Sequence, residues 1–261
     1  MVAGLDKFRE AFRNFSDNYV IIGGTACDVV LRDTVMKPRA TDDIDMILII
    51  ENMTPEFANA FWKFIKAGRY ANGKRKRGEE QPSAYELYRF ENPQEGYPIQ
   101  IELLSRHSGL LGEPSGFYLE PIPVGADISS LSAIMMDNDY YELTVQSTFM
   151  DDGLRFASPI ALICLKIKAY LNLLTERESG KQVNTKDIKK HRNDVLKLSA
   201  TVSYIEPFVV PTPIFDAIQQ YIELIHQSLP NQSLEAALNR SSEDIQIFLD
   251  VLSDLFTANA E

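Results

Sequence analysis

The chain has 261 residues and a formal net charge of −11 at pH 7, with 45% hydrophobic and 24% charged residues. That length accommodates one or two domains of ~150 residues each, and the composition is that of a globular protein with a substantial core. So acidic a balance excludes a protein that coats nucleic acid with its whole surface; any RNA contact must come from a local basic patch.

The first residues, Met1-Val2-Ala3-Gly4-Leu5-Asp6, lack a basic region and a long apolar core, so no secretory signal is expected. Leu5, Phe8, Phe12 and Phe15 recur at helical spacing, and Ser16-Asp17-Asn18 predicts the stop. The short apolar run Tyr19-Val20-Ile21-Ile22 predicts a buried strand that breaks at the turn Gly23-Gly24-Thr25. Residues 26–31 then predict a helix, with the glycine amides and the Thr25 hydroxyl at its positive end, a setting that attracts phosphate. Further on, Ile44, Met46 and Leu48 alternate with Asp43, Asp45 and Ile47. A strand has period two, so Asp43 and Asp45 leave the same face about 7 Å apart, and Asp42 leaves the other. Two carboxylates so placed can lean onto one site, and a divalent cation relieves their crowding. Taken singly, the glycine pair reads as a structural turn and Asp-x-Asp as the wet face of an edge strand.

Thr54-Pro55 predicts a helix start, with Phe57, Phe61, Phe64 and Ile65 on one face and Gly68 at the end. Residues 69–82 change character: Lys74-Arg75-Lys76-Arg77 is the dense basic run of an acidic chain, read either as a solvated loop tip or as a contact for a polynucleotide backbone. Residues 85–90 and 97–104 predict two strands joined by a polar turn at 92–96, with Gln100, Glu102 and Leu104 on one face of the second. Residues 107–139, rich in Gly, Pro and Ser, read as connection, and 140–149 with 154–156 as one more hairpin. Ser158-Pro159 then opens a helix to about Leu174, whose Lys166 and Lys168 exclude a membrane span. Those lysines must either snorkel to the surface or meet an anion. Helices are also expected from Thr185, Thr212 and Ser241 or Ser242. Asp187, His191 and Asp194 fall on one stripe of the first of these, read equally as a surface salt-bridge ladder. Cys27 and Cys164 offer neither metal spacing nor a disulfide framework, so buried free thiols in a reducing cytoplasm are expected.

In the order strand, Gly-Gly-Thr, helix, Asp-x-Asp strand, the stretch from Tyr19 to Ile50 resembles the signature of the nucleotidyltransferase superfamily that includes DNA polymerase beta. Gly23-Gly24-Thr25-Ala26 followed by Arg39-Ala40-Thr41-Asp42-Asp43-Ile44-Asp45 is most similar to the AbiEii-type toxins of bacterial toxin–antitoxin systems. The interval from Thr25 to Asp43 is longer than that family's usual spacing. The resemblance covers the sheet region and the next two helices, and fades beyond about residue 200. It implies an α+β fold: a nucleotidyltransferase-type mixed sheet with flanking helices over residues 1–157, then an all-helical C-terminal domain over 158–261. It also implies transfer of a nucleoside monophosphate from an NTP to a hydroxyl. Asp43, Asp45 and Glu102 would hold two Mg²⁺ ions, with Glu in place of the family's common Asp. Gly23, Gly24, Thr25, Lys166 and Asp187 would bind the nucleotide. An RNA or tRNA end as acceptor, met by Lys74, Arg75, Lys76 and Arg77, and a cognate antitoxin as partner are further implications. The alternatives are a small-molecule nucleotidyltransferase of the aminoglycoside-modifying type, or a non-catalytic nucleotide- or partner-binding module of the same fold.

Overall fold

The computed structural model describes residues 2–74, 85–106, 119–122, 131–203 and 206–259. They build an α+β protein whose contacts divide into two compact units, Met1–Val29 with Arg39–Ala157 and Val30–Pro38 with Ser158–Glu261. No helix among the described residues is long and apolar enough to cross a membrane.

In the first unit, helix α1 (Leu5–Phe12) precedes strand β1 (Tyr19–Ile22), helix α2 (Gly23–Leu31) and strand β2 (Asp43–Leu48). Helix α3 (Pro55–Ala67) starts at Thr54, whose hydroxyl accepts the Phe57 N–H at 3.2 Å. There follow β3 (Ala71–Lys74), β4 (Tyr85–Glu91), β5 (Gln100–Arg106), β6 (Leu119–Ile122), β7 (Leu131–Met136), α4 (Asn138–Gln146), β8 (Thr148–Asp151) and β9 (Leu154–Ala157). The sheet runs β3-β4-β5-β2-β1-β9-β8, with β7 also on β5 and β6 on β7. It is mixed: β1 lies parallel to β9, β2 to β5 and β5 to β7, and the remaining pairs are antiparallel.

Period two divides the work of the two sheet faces. Tyr19, Ile21, Ile44, Met46, Phe90, Ile101 and Leu103 are all fully buried on one side. There Phe8 packs on Phe12 at 4.4 Å, Phe12 on Phe61 at 6.0 Å and Phe61 on Phe90 at 5.4 Å, tying α1 and α3 to the strands. Each large apolar side chain so buried contributes on the order of 1.5–3 kcal/mol. The other side carries Asp43, Asp45, Arg89, Gln100 and Glu102.

Three expectations are corrected. Residues 140–146 are helix, not strand: Asp137 accepts the Asp139 N–H at 3.0 Å and caps α4, and Tyr140, Tyr141 and Thr144 are buried on one helical side. A cap and a core-facing stripe override the strand preference of tyrosine and valine. The stretch read as connection holds β6 and β7, and β7 joins the end of β5 in parallel, a nonlocal pairing with no turn to announce it. The strand β3, which ends at Lys74, lies where no element was expected.

The second unit contains α5 (Pro159–Glu178), α6 (Thr185–Ser199), β10 (Phe208–Val210), α7 (Thr212–Gln227), α8 (Gln232–Leu238), α9 (Ser242–Leu255) and β11 (Phe256–Ala258). It is therefore not all-helical: β10 and β11 pair in parallel. Three residues are too few to display an alternation, and β11 follows α9 directly. Cys27 and Cys164 are both buried and outside any disulfide.

Candidate functional site

Strand register assembles the acidic row. Ile22 stands opposite Asp45 across β1 and β2, Asp45 opposite Glu102 across β2 and β5, and Glu102 opposite Arg89 across β5 and β4. Partners in register leave the same face of a sheet, and neighbouring strands are about 4.8 Å apart. Asp43, two residues before Asp45, joins that face at an exposed position, and Asp45 is half-buried.

Gly23 brings the start of α2 down onto this row. Its φ is 70°, and a Cβ there would lie 2.1 Å from Asp45 Oδ2. Any side chain would thus meet both backbone strain and the carboxylate. At Gly24 a Cβ would meet Arg39 Nη2 and Thr41 Oγ1, each at 2.6 Å, so a guanidinium and a hydroxyl stand over the second glycine. The helix begins at Gly23 itself, not after Thr25, which places both glycine amides in its first turn. Thr25 departs from expectation. It is fully buried, and its hydroxyl donates to the Asp43 carbonyl, fastening the helix start to β2 in place of facing a phosphate.

Glu102 has a partner that the sequence did not announce. Arg89 donates to its Oε1 twice, from Nε at 3.1 Å and from Nη2 at 2.6 Å. The side chains are 37% exposed for Arg89 and 16% for Glu102, so the pair sits at the rim of the row. Oxygen donors from Asp43 and Asp45 suit Mg²⁺, which is commonly held by one or two carboxylates with water and phosphate completing the shell. Among the described residues, no group of three His, Cys, Asp or Glu side chains is arranged to hold a metal.

Lys166 and Asp187 lie in the second unit. The anion that Lys166 meets is Asp194: Nζ lies 3.2 Å from Oδ2, with both side chains 5% exposed. The ammonium is consequently committed to α6, which corrects its expected role toward phosphate. The Asp187–His191–Asp194 stripe runs from exposed through half-buried to buried along α6, so only its last member reaches the core. Beside it the Tyr221 hydroxyl donates to the Arg192 carbonyl at 2.7 Å, and the Tyr170 ring meets Tyr221 edge-on at 5.4 Å. Burial first, then Tyr170, push the Tyr221 hydroxyl well above its ordinary pKa, against the pull of Arg192. Lys74 ends β3, and Arg75, Lys76 and Arg77 lie outside the described residues.

Arg39 and Thr41 belong to the motif that the sequence displays, yet nothing in their spacing showed that they close over Gly24. Arg89 could have been found only from the hairpin register. No protein-family model matches the chain, and no curated protein matches it.

Proposed function

We propose that the chain is a metal-dependent nucleotidyltransferase of the AbiEii toxin-like type, moving a nucleoside monophosphate from an NTP to a hydroxyl with release of pyrophosphate. One observation carries the reading: Asp45 stands in register with Glu102 while its carboxylate touches Gly23 at the start of α2, with Asp43 on the same face. An acid pair set against a glycine-built helix start is what a triphosphate with its cation requires.

Such transfer asks a protein for positioning and charge compensation more than for covalent chemistry. The first-turn amides of Gly23 and Gly24 draw the phosphates, and Arg39 adds a fixed positive charge beside Gly24. Thr25 keeps the Asp43 end of β2 against the helix. Asp43 and Asp45 hold Mg²⁺, which when bound offsets charge on the phosphate oxygens. Lys166 holds α5 to α6 through Asp194, and Asp187 stands exposed at the start of α6. The nucleotidyltransferase-type sheet with flanking helices and a mainly helical C-terminal part belong to the same proposal, as do an RNA or tRNA acceptor and an antitoxin partner.

The test incubates the protein with each labelled NTP, Mg²⁺ and total cellular RNA, beside Asp43→Ala and Asp45→Ala. Loss of several kcal/mol of charge stabilisation predicts label reduced about a thousandfold in either variant. Equal labelling by parent and variants ends the proposal. Label that appears on small molecules but not RNA redirects the acceptor to the aminoglycoside-like class.

A further inference from the structure

We propose that the groove between α1 and α3 is a binding site for a small aromatic carboxylate, whose ring meets Phe64 and Tyr97 and whose charge meets Lys7 and Lys63. The site is independent of the nucleotidyltransferase reading, because α1 and α3 cover the sheet face opposite to the one that carries Asp43 and Asp45.

Helical periodicity makes the groove. Phe8 and Phe12 of α1 and Phe57 and Phe61 of α3 are fully buried. That leaves Lys7 and Ala11 of α1, and Ala60, Lys63 and Ala67 of α3, on outward stripes at spacings of three and four. The alanines leave room that longer side chains would fill, and the two stripes enclose about 480 Å³. That volume is typical of small-molecule sites. Phe64, 6% exposed, forms the floor, and Tyr97 forms a wall. The Tyr97 ring is itself held in place: it lies 5.1 Å from the Phe64 ring and 6.2 Å from that of Tyr70, and a Cβ on Gly68 would come within 2.9 Å of it. A wall fixed in advance spares a ligand the cost of ordering it.

The charges are placed without being neutralised. Lys7 Nζ lies 4.2 Å from the centroid of the Tyr97 ring, which holds the ammonium at this wall through its π face. Among the described residues, no carboxylate pairs with the ammonium of Lys7 or of Lys63, although Glu10 lines the same groove. Two ammonium groups over an apolar, partly aromatic floor suit an anion with a flat apolar body. Glu10 repels a second negative charge, so a single carboxylate suits the groove better than a phosphate dianion. An aliphatic acid would fill the same space but forgo edge-to-face contact with the two rings, worth about two- to tenfold in affinity.

Titration of the full chain with naphthalene-2-carboxylate at low ionic strength, followed by ligand-observed NMR, tests the site, with melting of each variant recorded alongside. The acid is expected to bind with a Kd on the order of 1 mM or tighter. Naphthalene-2-carboxamide keeps the ring, loses the charge and is expected to bind about tenfold more weakly. Cyclohexanecarboxylate is expected to bind at least about twofold more weakly. Lys63→Met is expected to weaken the acid about two- to fivefold. Ala60→Leu, which keeps a good helix former and fills the groove, is expected to weaken it at least about tenfold. A parent that takes up no acid at about 10 mM, an amide or an aliphatic acid that binds as tightly, or a folded Ala60→Leu with the parent's affinity overturns the proposal. Should Ala60→Leu fail to fold, Lys63→Met decides, and undiminished affinity there overturns it. Each of these outcomes leaves the nucleotidyltransferase reading untouched.

Discussion

The Lys166–Asp194 pair of the second unit and the Arg89–Glu102 pair of the first join base to acid at 3.2 and 2.6 Å. Their settings are opposite. The first has both side chains 5% exposed, whereas the second has 37% and 16%. Removing two charges from water is expensive, and a buried pair recovers that loss only while both members stay in place. Such a pair cannot exchange partners with a ligand. A rim pair loses little water, is screened by solvent, and can let go. Burial, more than residue type, therefore separates an ion pair that holds helices together from one that solvent can open.

The largest effect that sharpens this contrast belongs to Lys166→Ala. It leaves the Asp194 charge buried without its ammonium, for a loss of about 3–5 kcal/mol. For a chain of this size, that lowers the melting temperature by on the order of 10 °C. The double variant Lys166→Met/Asp194→Leu removes the charge together with its partner and is expected to regain most of the loss. A single variant that melts with the parent would mean that burial does not distinguish the two pairs.

Arg89→Met comes next. With Arg89 more than a third exposed, solvent screening limits the loss to about 1 kcal/mol or less, read as a small shift of the urea midpoint with unchanged slope. A loss as large as that for Lys166→Ala would make the rim pair as structural as the buried one.

Sequence pattern made one of these pairs more legible than the other. Lys166 in an apolar helix had either to snorkel to the surface or to meet an anion, and Asp194 sat on a recognisable stripe of the next predicted helix. What the stripe could not give was depth, because three positions on one helical line can run from solvent into the core, as Asp187, His191 and Asp194 do. Asp43 and Asp45 were legible because alternation with buried Ile44 and Met46 fixes their face whatever the tertiary contacts. Arg89 was not. The strand begins at Gln100 and not at Tyr97: Pro98 has no N–H to give a ladder, its carbonyl accepts the Tyr70 hydroxyl at 2.6 Å, and the Ile99 N–H turns to the Asp42 carbonyl at 3.0 Å. That displacement sets Arg89 against Glu102. Residues 140–146 were misread for a related reason, since tyrosine and valine suit a strand until a cap at Asp137 decides otherwise.

A third acid, Glu51, extends the comparison to a still more open setting and gives the smallest effect. Its Oε1 meets Arg106, with side chains 43% and 29% exposed, and its Oε2 accepts the Tyr141 hydroxyl at 2.7 Å. Burial acts to raise the carboxyl pKa, but Tyr141, a backbone amide and Arg106 together hold it below the ordinary carboxylate value. A carboxylate whose folded pKa is depressed contributes stability that is present above its unfolded pKa and lost as pH falls through the folded one. At this exposure the contribution is below about 0.5 kcal/mol. The parent is accordingly expected to melt about 1–2 °C above Glu51→Gln at neutral pH, with the gap narrowing as pH falls below the ordinary carboxylate range. A gap that does not narrow with falling pH would show that Gln differs from Glu in packing rather than charge. A gap at neutral pH equal to that of Lys166→Ala would break the graded relation between the exposure of an ion pair and its worth to stability.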